Sequence, residues 1–252
     1  MRLLCDGFSE TGMRRTINQD AVGMFFKDDC GLFLVSDGMG GHSEGERASQ
    51  EIQKACQNWW DGRLQEEGGA GFSETVSQLK ELLAQANRTI WDETSQEEIC
   101  GATVVLLWIQ QQSYALLWAG DSRCYLAQHK LLGTQIRQLT IDDVWENQPE
   151  LSQQYSKDEI LSHPNRGKLV RAAGVHKNFT CTVQTGAQDK GMLFALVSDG
   201  VYKYMEPEKL RAVLKQAVRG EDFTRPLREI RDRVYENQAP DNLSCILVKA
   251  VE

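Results

Sequence analysis

The chain has 252 residues, 41% of them hydrophobic and 25% charged, a composition that is typical of a folded globular protein and excludes a disordered one. Its net charge of −8 at pH 7 argues against a nucleic-acid partner, which would require a basic face. The apolar runs are far shorter than the roughly 20 residues of a membrane span, and the N-terminus lacks a signal-peptide core. We therefore expect a cytoplasmic protein without membrane contact, built as a single domain over residues 1–252 because no linker or repeat interrupts the chain.

Short apolar or alternating runs rich in Val, Phe, Tyr and Trp predict β-strands. In chain order they cover residues 21–26, 32–36, 102–109, 114–120, 123–127, 179–184, 193–198 and 243–250. A short connection joins the first two runs, and "QQQS" and "GDS" join the next three. We expect these connections to be hairpins, so that the strands they join run antiparallel.

Apolar residues at helical spacing predict a helix pair over residues 44–60 and 73–94. A second pair is predicted from Glu206, with Pro207 in its first turn, and over residues 223–237. The resulting order of strands and helix pairs predicts β-sheets with helices packed outside them. The polar segment 142–174 is too long for a turn, and we expect it to be a flap over a site, with short helices of its own.

Acidic residues occur at the ends of several predicted strands. Asp37 and Asp199 each follow an apolar run directly and precede a glycine, Asp121 lies in the turn "AGDSR", and Asp241 with Asn242 precedes the last strand. A single Asp-Gly most often marks a hairpin turn, but neither of these two runs on into a partner strand. We expect Asp37 and Asp199 to share a sheet edge with Asp241.

Clustered carboxylates repel one another unless a cation lies between them. Oxygen ligands suit Mg²⁺ or Mn²⁺, whereas the His and Cys spacing of a zinc site is absent. Two such ions, bridged by one carboxylate and one water, would make that water a nucleophile and so predict hydrolysis of a phosphate ester. Arg15 could bind the phosphate with its planar guanidinium or could be an ordinary surface cation.

These motifs together resemble the metal-dependent protein phosphatase family of type 2C in its bacterial form. The matching segments occur in the family's order and cover residues 12–22, 35–49, 101–105, 119–126, 163–174, 196–202 and 241–248. The resemblance implies an α+β fold in which two antiparallel sheets form a central β-sandwich flanked by helix pairs, a four-layer α-β-β-α arrangement. It places the metal ions in a cleft at one end.

The resemblance also implies roles for individual residues. Asp37 would bridge both ions, the carbonyl of Gly38 would ligate one, and Asp199 and Asp241 would complete the other. Asp121 resembles the ligand of a third, weaker ion, so that two or three Mn²⁺ or Mg²⁺ ions are expected. Arg15 would bind phosphate, and Asp20 would help to hold water on the metal.

Three departures from the family's pattern concern the same region. Gln19 stands where many members have Glu, and we expect weaker metal affinity as a result. Met39 stands where eukaryotic members carry a His that is proposed as general acid; His42 is the nearest replacement, either as proton donor or as a cap of the following turn or helix. "TIDD", residues 140–143, replaces a more usual T-D-H-S beside the flap.

The predicted function is that of a serine/threonine phosphoprotein phosphatase in which a metal-bridging water attacks phosphorus directly. The resemblance implies a monomer that acts on phosphoproteins and opposes a bacterial serine/threonine kinase. Two alternatives remain open: a catalytically silent relative that binds phosphoproteins, which Gln19 would favour, and a phosphatase of small phosphoesters.

Overall fold

A computed structural model of the chain describes residues 1–41, 44–65, 70–94, 100–131 and 133–252. The strands are β1 (Arg2–Glu10), β2 (Asp20–Lys27), β3 (Cys30–Gly40), β4 (Cys100–Ala102), β5 (Val104–Gln110), β6 (Ser113–Ala119), β7 (Arg123–Lys130), β8 (Gly133–Gln138), β9 (Thr182–Ala187), β10 (Leu193–Val197) and β11 (Leu243–Val251). The helices are α1 (Glu44–Arg63), α2 (Phe72–Glu93), α3 (Leu151–Gln154), α4 (Lys157–Ser162), α5 (Asp199–Tyr202), α6 (Pro207–Ala217) and α7 (Thr224–Glu236).

The strands form two antiparallel sheets that pack face to face. The first sheet has the strand order β1-β11-β10-β7-β8, and the second has the order β2-β3-β5-β6-β9, with β4 paired to β3. Strand β1 pairs with β11 over its whole length. Both sheets have one face on the other sheet and one face on helices, which explains why their central strands are apolar without strict alternation.

Strand β3 shows how the apolar layers are built. Phe33 and Val35 point between the two sheets, whereas Leu32 and Leu34 point outward against α1 and α2. On the opposite side, β10 and β11 pack against α6 and α7. The order of helices, sheet, sheet and helices confirms the predicted α+β sandwich.

The predicted helix pairs are confirmed as α1 with α2 and α6 with α7, and Pro207 is the first residue of α6. Helix α1 continues three residues beyond the predicted end, to Arg63, whose guanidinium lies 5.5 Å from the ring of Trp59 and 4.9 Å from that of Trp108. This contact with the core stabilises the last turn. None of the helices in the described ranges is long and apolar enough to cross a membrane.

The sequence predicted that the connection "GDS" is a hairpin, and this prediction is wrong. Strand β6 belongs to the second sheet and β7 to the first, so the chain crosses between the sheets at this point. Gly120 has a φ of +109°, a conformation that glycine adopts without steric cost. Two strands, β1 and β8, were not predicted; β1 has no clear alternation and depends on its pairing with β11.

The core on the helix side of the second sheet can be tested with Leu34, which is fully buried. We expect Leu34→Ala to lower the free energy of unfolding by about 2–5 kcal/mol, because it removes buried methyl groups and leaves a cavity. Leu131, fully exposed, is the matched control, and Leu131→Ala should change stability by less than about 0.5 kcal/mol. Urea unfolding would measure both free energies. Equal effects of the two substitutions would contradict the burial of Leu34 between the second sheet and its helices.

Candidate metal centre

Two of the predicted carboxylates lie on the second sheet at one end of the sandwich. Asp20 opens β2 and is the direct ladder partner of Asp37 in β3. Strand β3 was expected to end at Ser36, but it continues to Gly40 because β4 pairs with this extension. The run 102–109 was predicted as one strand and is divided at Thr103, whose Oγ1 accepts the N–H of Asp37 at 2.9 Å.

The other carboxylates at this end belong to the first sheet. Asp199 opens α5 directly after β10, and Asp241 lies two residues before β11. Strands β10 and β11 are antiparallel neighbours, so the end of one lies beside the start of the other. The prediction that Asp37 shares a sheet edge with these two residues is wrong, because it lies on the other sheet; the cluster forms across the sandwich.

Asp20 connects the two sheets. Its Oδ2 accepts hydrogen bonds from Ser198 Oγ at 2.8 Å and from Ser244 Oγ at 2.7 Å, both on the first sheet's side. The N–H of Ser244 in turn donates to Ser198 Oγ at 2.9 Å. Asp20 Oδ1 is buried and accepts no hydrogen bond from any residue within the described ranges. One oxygen of this carboxylate is therefore available to a further ligand.

Burial and the charges of neighbouring carboxylates make Asp37 and Asp20 reluctant to ionise. Burial, reinforced by the charges of Asp20, Asp199 and Asp121, raises the pKa of Asp37 well above its ordinary value. Burial also raises the pKa of Asp20 to about 7, with the charges of Asp199 and Asp241 adding to the shift and the two serine hydroxyls opposing it. A divalent cation would remove this penalty.

The glycines after Asp37 and Asp199 are required by close backbone approach rather than by turns. A Cβ on Gly38 would lie 2.1 Å from the carbonyl oxygen of Gly45, and a Cβ on Gly200 would lie 1.8 Å from that of Asn242. Neither distance leaves room for a side chain. The repeated Asp-Gly therefore marks two places where another segment packs directly against the backbone that carries the acid.

Asp121 is buried at the crossing between the sheets and shares a cation with Asp199. The ammonium of Lys203 lies 3.2 Å from Asp121 Oδ2 and 2.6 Å from Asp199 Oδ2, and the Tyr202 hydroxyl also donates to Asp121 at 3.2 Å. Burial raises the pKa of Asp121, and Lys203 opposes that shift. Burial alone would lower the pKa of Lys203, but the carboxylates of Asp199 and Asp121 raise it.

Asn242 anchors the loop that leads into β2. Its Oδ1 accepts the N–H of Gln19 at 2.9 Å, and its Nδ2 donates to the carbonyls of Thr11 and Ile17, both at 2.9 Å. Gln19 is buried, and its carbonyl accepts the N–H of Gly38 at 3.0 Å. The loop is thus held against β3 beside Asp37, and the weaker metal affinity expected from Gln19 stays a prediction.

Arg15 lies in this loop and reaches the cluster. One of its guanidinium nitrogens is 2.9 Å from each carboxylate oxygen of Asp241, and the Arg15 side chain is 49% exposed. The neighbouring Arg14 bonds instead to Gln238. His42 lies outside the described residues.

The segment 142–174 is fastened beside the cluster through Asp142 and Asp143. Asp142 binds Arg123 of β7 with contacts of 2.7–3.1 Å, whereas the fork between Asp143 and Arg171, with contacts of 2.7 and 2.9 Å, lies within the segment itself. Asp143 also accepts the N–H of Gly120, next to Asp121, at 2.9 Å. The unusual "TIDD" therefore fastens this segment to the crossing between the sheets. Within it, Trp145 stacks on His163 at 3.9 Å between ring centroids.

Sequence reasoning missed three groups at this end of the sandwich: Ser198, Ser244 and Lys203. Ser198 repeats the serine before Asp37, so the duplicated Ser-Asp-Gly was a usable signal. Lys203 is four residues after Asp199, the spacing at which helical side chains meet. Ser244 lies inside an apolar strand and had no such signal.

The donor set fits hard divalent cations, because it consists of carboxylate and backbone oxygens and includes the unpartnered Asp20 Oδ1. Among the described residues, no three Asp, Glu, His or Cys side chains are grouped tightly enough to hold an ion as they stand. Three of the acids pair instead with the protein's own cations, Asp121 and Asp199 with Lys203 and Asp241 with Arg15. Metal binding therefore requires some of these side chains to turn.

Comparison with known proteins gives consistent matches. The model of the protein phosphatase 2C family matches residues 13–248. The serine/threonine phosphatase stp of Listeria monocytogenes serotype 4b (strain F2365) is 26% identical over 212 residues, which span 82% of this chain and 81% of the relative. The serine/threonine protein phosphatase PstP of Mycobacterium tuberculosis (strain ATCC 25618 / H37Rv) is 25% identical over 97% of this chain and 44% of its own length.

Solved structures agree with the fold. PppA, a key regulatory component of T6SS in Pseudomonas aeruginosa, superposes with a TM-score of 0.79 at 27% identity and covers 99% of this chain and 98% of its own. The catalytic domain of PstP in complex with 2 manganese ions has a TM-score of 0.77 at 24% identity, with 99% of both chains covered. The second likeness is one of fold alone.

The raised pKa of Asp20 predicts a pH dependence of the metal-free protein. Because the folded-state pKa is about 7 against an ordinary 3.8, the folded state binds more protons than the unfolded state between about pH 4 and pH 7. Stability in EDTA should therefore fall as the pH rises through this range. Urea unfolding at several pH values would measure the slope, which Asp20→Asn should flatten and Asp92→Asn, at an exposed position on α2, should leave unchanged. An unaltered slope in Asp20→Asn would contradict this assignment.

Proposed function

The chain belongs to the protein phosphatase 2C family, and from that premise we propose that Asp37, Asp199 and Asp241 hold the metal ions with which it hydrolyses phosphoserine and phosphothreonine esters of proteins. The observation that carries the proposal is the carboxylate cluster that both sheets build at one end of the sandwich. A structural role alone would not explain it, because the buried acids destabilise one another.

Each residue then has a defined task. Asp37, whose carboxylate feels the charges of Asp20, Asp199 and Asp121, would be the ligand shared between the ions, and the Gly38 carbonyl, Asp199 and Asp241 would be the further ligands. Asp20 uses its free Oδ1 to hold water beside them. Mn²⁺ or Mg²⁺, the former found in the PstP structure, supplies the Lewis acid and the activated water of the reaction when bound.

Arg15 receives the substrate's phosphate. Its guanidinium is half exposed, presents a planar fork, and is carried by a loop that Asn242 fastens at Thr11, Ile17 and Gln19. In this role Arg15 leaves Asp241 when that carboxylate turns to a metal ion. Asn242 acts as a positioning residue, because it holds the loop and does not itself reach the substrate.

The substrates are phosphoproteins, as in the family. The finer assignment, that the enzyme opposes a serine/threonine kinase in the cytoplasm, rests on the relatives' activity as serine/threonine phosphatases and on the regulatory part that PppA has in the T6SS. The segment 142–174, fastened by Asp142 to Arg123 and by Asp143 to the N–H of Gly120, acts as the flap that shapes access of the phosphoprotein.

Metal-dependent hydrolysis tests the proposal directly. We expect the purified protein to hydrolyse p-nitrophenyl phosphate and a phosphothreonine peptide with Mn²⁺, and EDTA to abolish the reaction. Asp37→Asn should lower kcat/KM at least about 100-fold, because it removes the bridging charge, whereas Asp92→Asn should keep full activity. A folded wild-type protein without turnover, but with affinity for the phosphopeptide, would instead support a phosphoprotein-binding relative.

Arg15 can be tested separately from the metal ligands. We expect Arg15→Ala to lower kcat/KM about 10- to 100-fold, with weaker inhibition by inorganic phosphate, because a charged hydrogen bond to the substrate is lost. Its Mn²⁺ affinity should be equal or higher, since Asp241 loses a competing cation. Arg14→Ala is the matched control, because Arg14 bonds to Gln238 and not to the cluster. Unchanged phosphate inhibition in Arg15→Ala would refute the role of Arg15.

A further inference from the structure

Lys203 occupies a position between two carboxylates that come from different parts of the chain. Its ammonium lies 2.6 Å from Asp199 Oδ2, in the first turn of α5, and 3.2 Å from Asp121 Oδ2, at the crossing between the sheets. The backbone N–H of Lys203 donates to the carbonyl of Asp199, so the side chain starts directly above that acid. The spacing and the helical geometry thus direct the ammonium into the gap between the two acids.

The surroundings make this gap a built cation site. The Asp121 side chain is 7% exposed, and the Tyr202 hydroxyl donates to the same Oδ2 that accepts from Lys203. The Tyr202 ring is held in turn, because the guanidinium of Arg123 lies 3.5 Å from its centroid and is itself fixed by a fork to Asp142. Asp121 can therefore change its position little, and a cation must come to it.

An ammonium and a divalent cation are alternatives at such a place. Two carboxylates that repel each other are stabilised by a positive charge between them. Lys203 provides this charge with two charge-assisted hydrogen bonds. A divalent cation bound by the same two oxygens would have to displace the ammonium. The resemblance to the family predicted a third ion with Asp121 as its ligand, at the place where this chain has its own cation.

We infer that Lys203 is a built-in substitute for a metal ion between Asp121 and Asp199, so that this chain binds two divalent cations rather than three. The inference rests on the proposed metal centre and adds to it the number of ions and the residue that sets it. Lys203 also limits the charge that Asp199 presents to its own metal ion. Its removal should therefore open a further site and strengthen binding at Asp199.

Counting bound Mn²⁺ tests the inference without any activity assay. We expect the wild-type protein to bind two ions in equilibrium dialysis, with free Mn²⁺ measured by electron paramagnetic resonance. Lys203→Met, which keeps the length of the side chain and removes the charge, should bind an additional, weaker ion. Adding Asp121→Asn to that variant should abolish the additional ion, and Lys203→Arg should bind two.

Lys209→Met is the matched control. Within the part of the chain that the structure describes, Lys209 forms its ion pair with the exposed Glu206, at 2.9 Å, and its loss should leave the count at two. Lys203→Gln gives a second neutral variant should Lys203→Met fold poorly. Amine acetylation followed by mass spectrometry adds a readout on the wild type: Lys203 should stay less reactive than Lys209 at saturating Mn²⁺, because it remains between the two carboxylates.

The outcomes separate this inference from the metal centre itself. Three ions in the wild type, or a Lys203 that becomes reactive when Mn²⁺ is added, would show that the ammonium is displaced and would overturn the inference alone. A count of two in both neutral variants would do the same. A wild-type protein that binds no Mn²⁺ would overturn the metal centre and, with it, the role of Lys203.

Discussion

Repulsion among buried carboxylates is the constraint on which the rest of this structure depends. Asp20 and Asp37 face each other in one sheet, and the partly exposed Asp199 and Asp241 approach from the side of the other. Burial raises the pKa of Asp37 well above its ordinary value, and the charges of the neighbouring carboxylates add to that shift. A protein that keeps such a cluster must either keep it partly protonated or bring cations to it.

Rigid main-chain packing holds the acids in place against that repulsion. Gly38 and Gly200 let neighbouring backbone approach so closely that no side chain would fit, and Thr103 fixes the backbone of Asp37 from the adjacent strand. Asn242 uses both the oxygen and the nitrogen of its side-chain amide to hold the loop that leads into β2. The acids therefore stand on elements that cannot relax apart without breaking the sandwich, which is the kind of support that a metal centre needs.

The protein's own cations divide the cluster into two parts. Among the described residues Arg15 forms its ion pair with a single carboxylate, that of Asp241, from a loop position, and so has room to exchange that partner for a phosphate. Lys203 pairs with both Asp121 and Asp199 and is backed by the Tyr202 hydroxyl on the same oxygen. The first cation suits a group that binds substrate, and the second suits one that stays in place.

The sequence by itself determined the secondary elements and the residue types of the candidate site. Apolar runs and helical spacing are local properties, so they predicted most strands and both helix pairs. The positions of Asp37, Asp199 and Asp241 at the ends of those runs are local as well, and they indicated the candidate site. Tertiary structure alone decided that Asp37 lies on the opposite sheet from Asp199, that the turn at Asp121 crosses between sheets, and that β1 is a strand. It also decided that Lys203 reaches Asp121. These features depend on the order of the strands in the sheets and on contacts between side chains that are distant in sequence. A local sequence pattern does not specify which strands pair with each other.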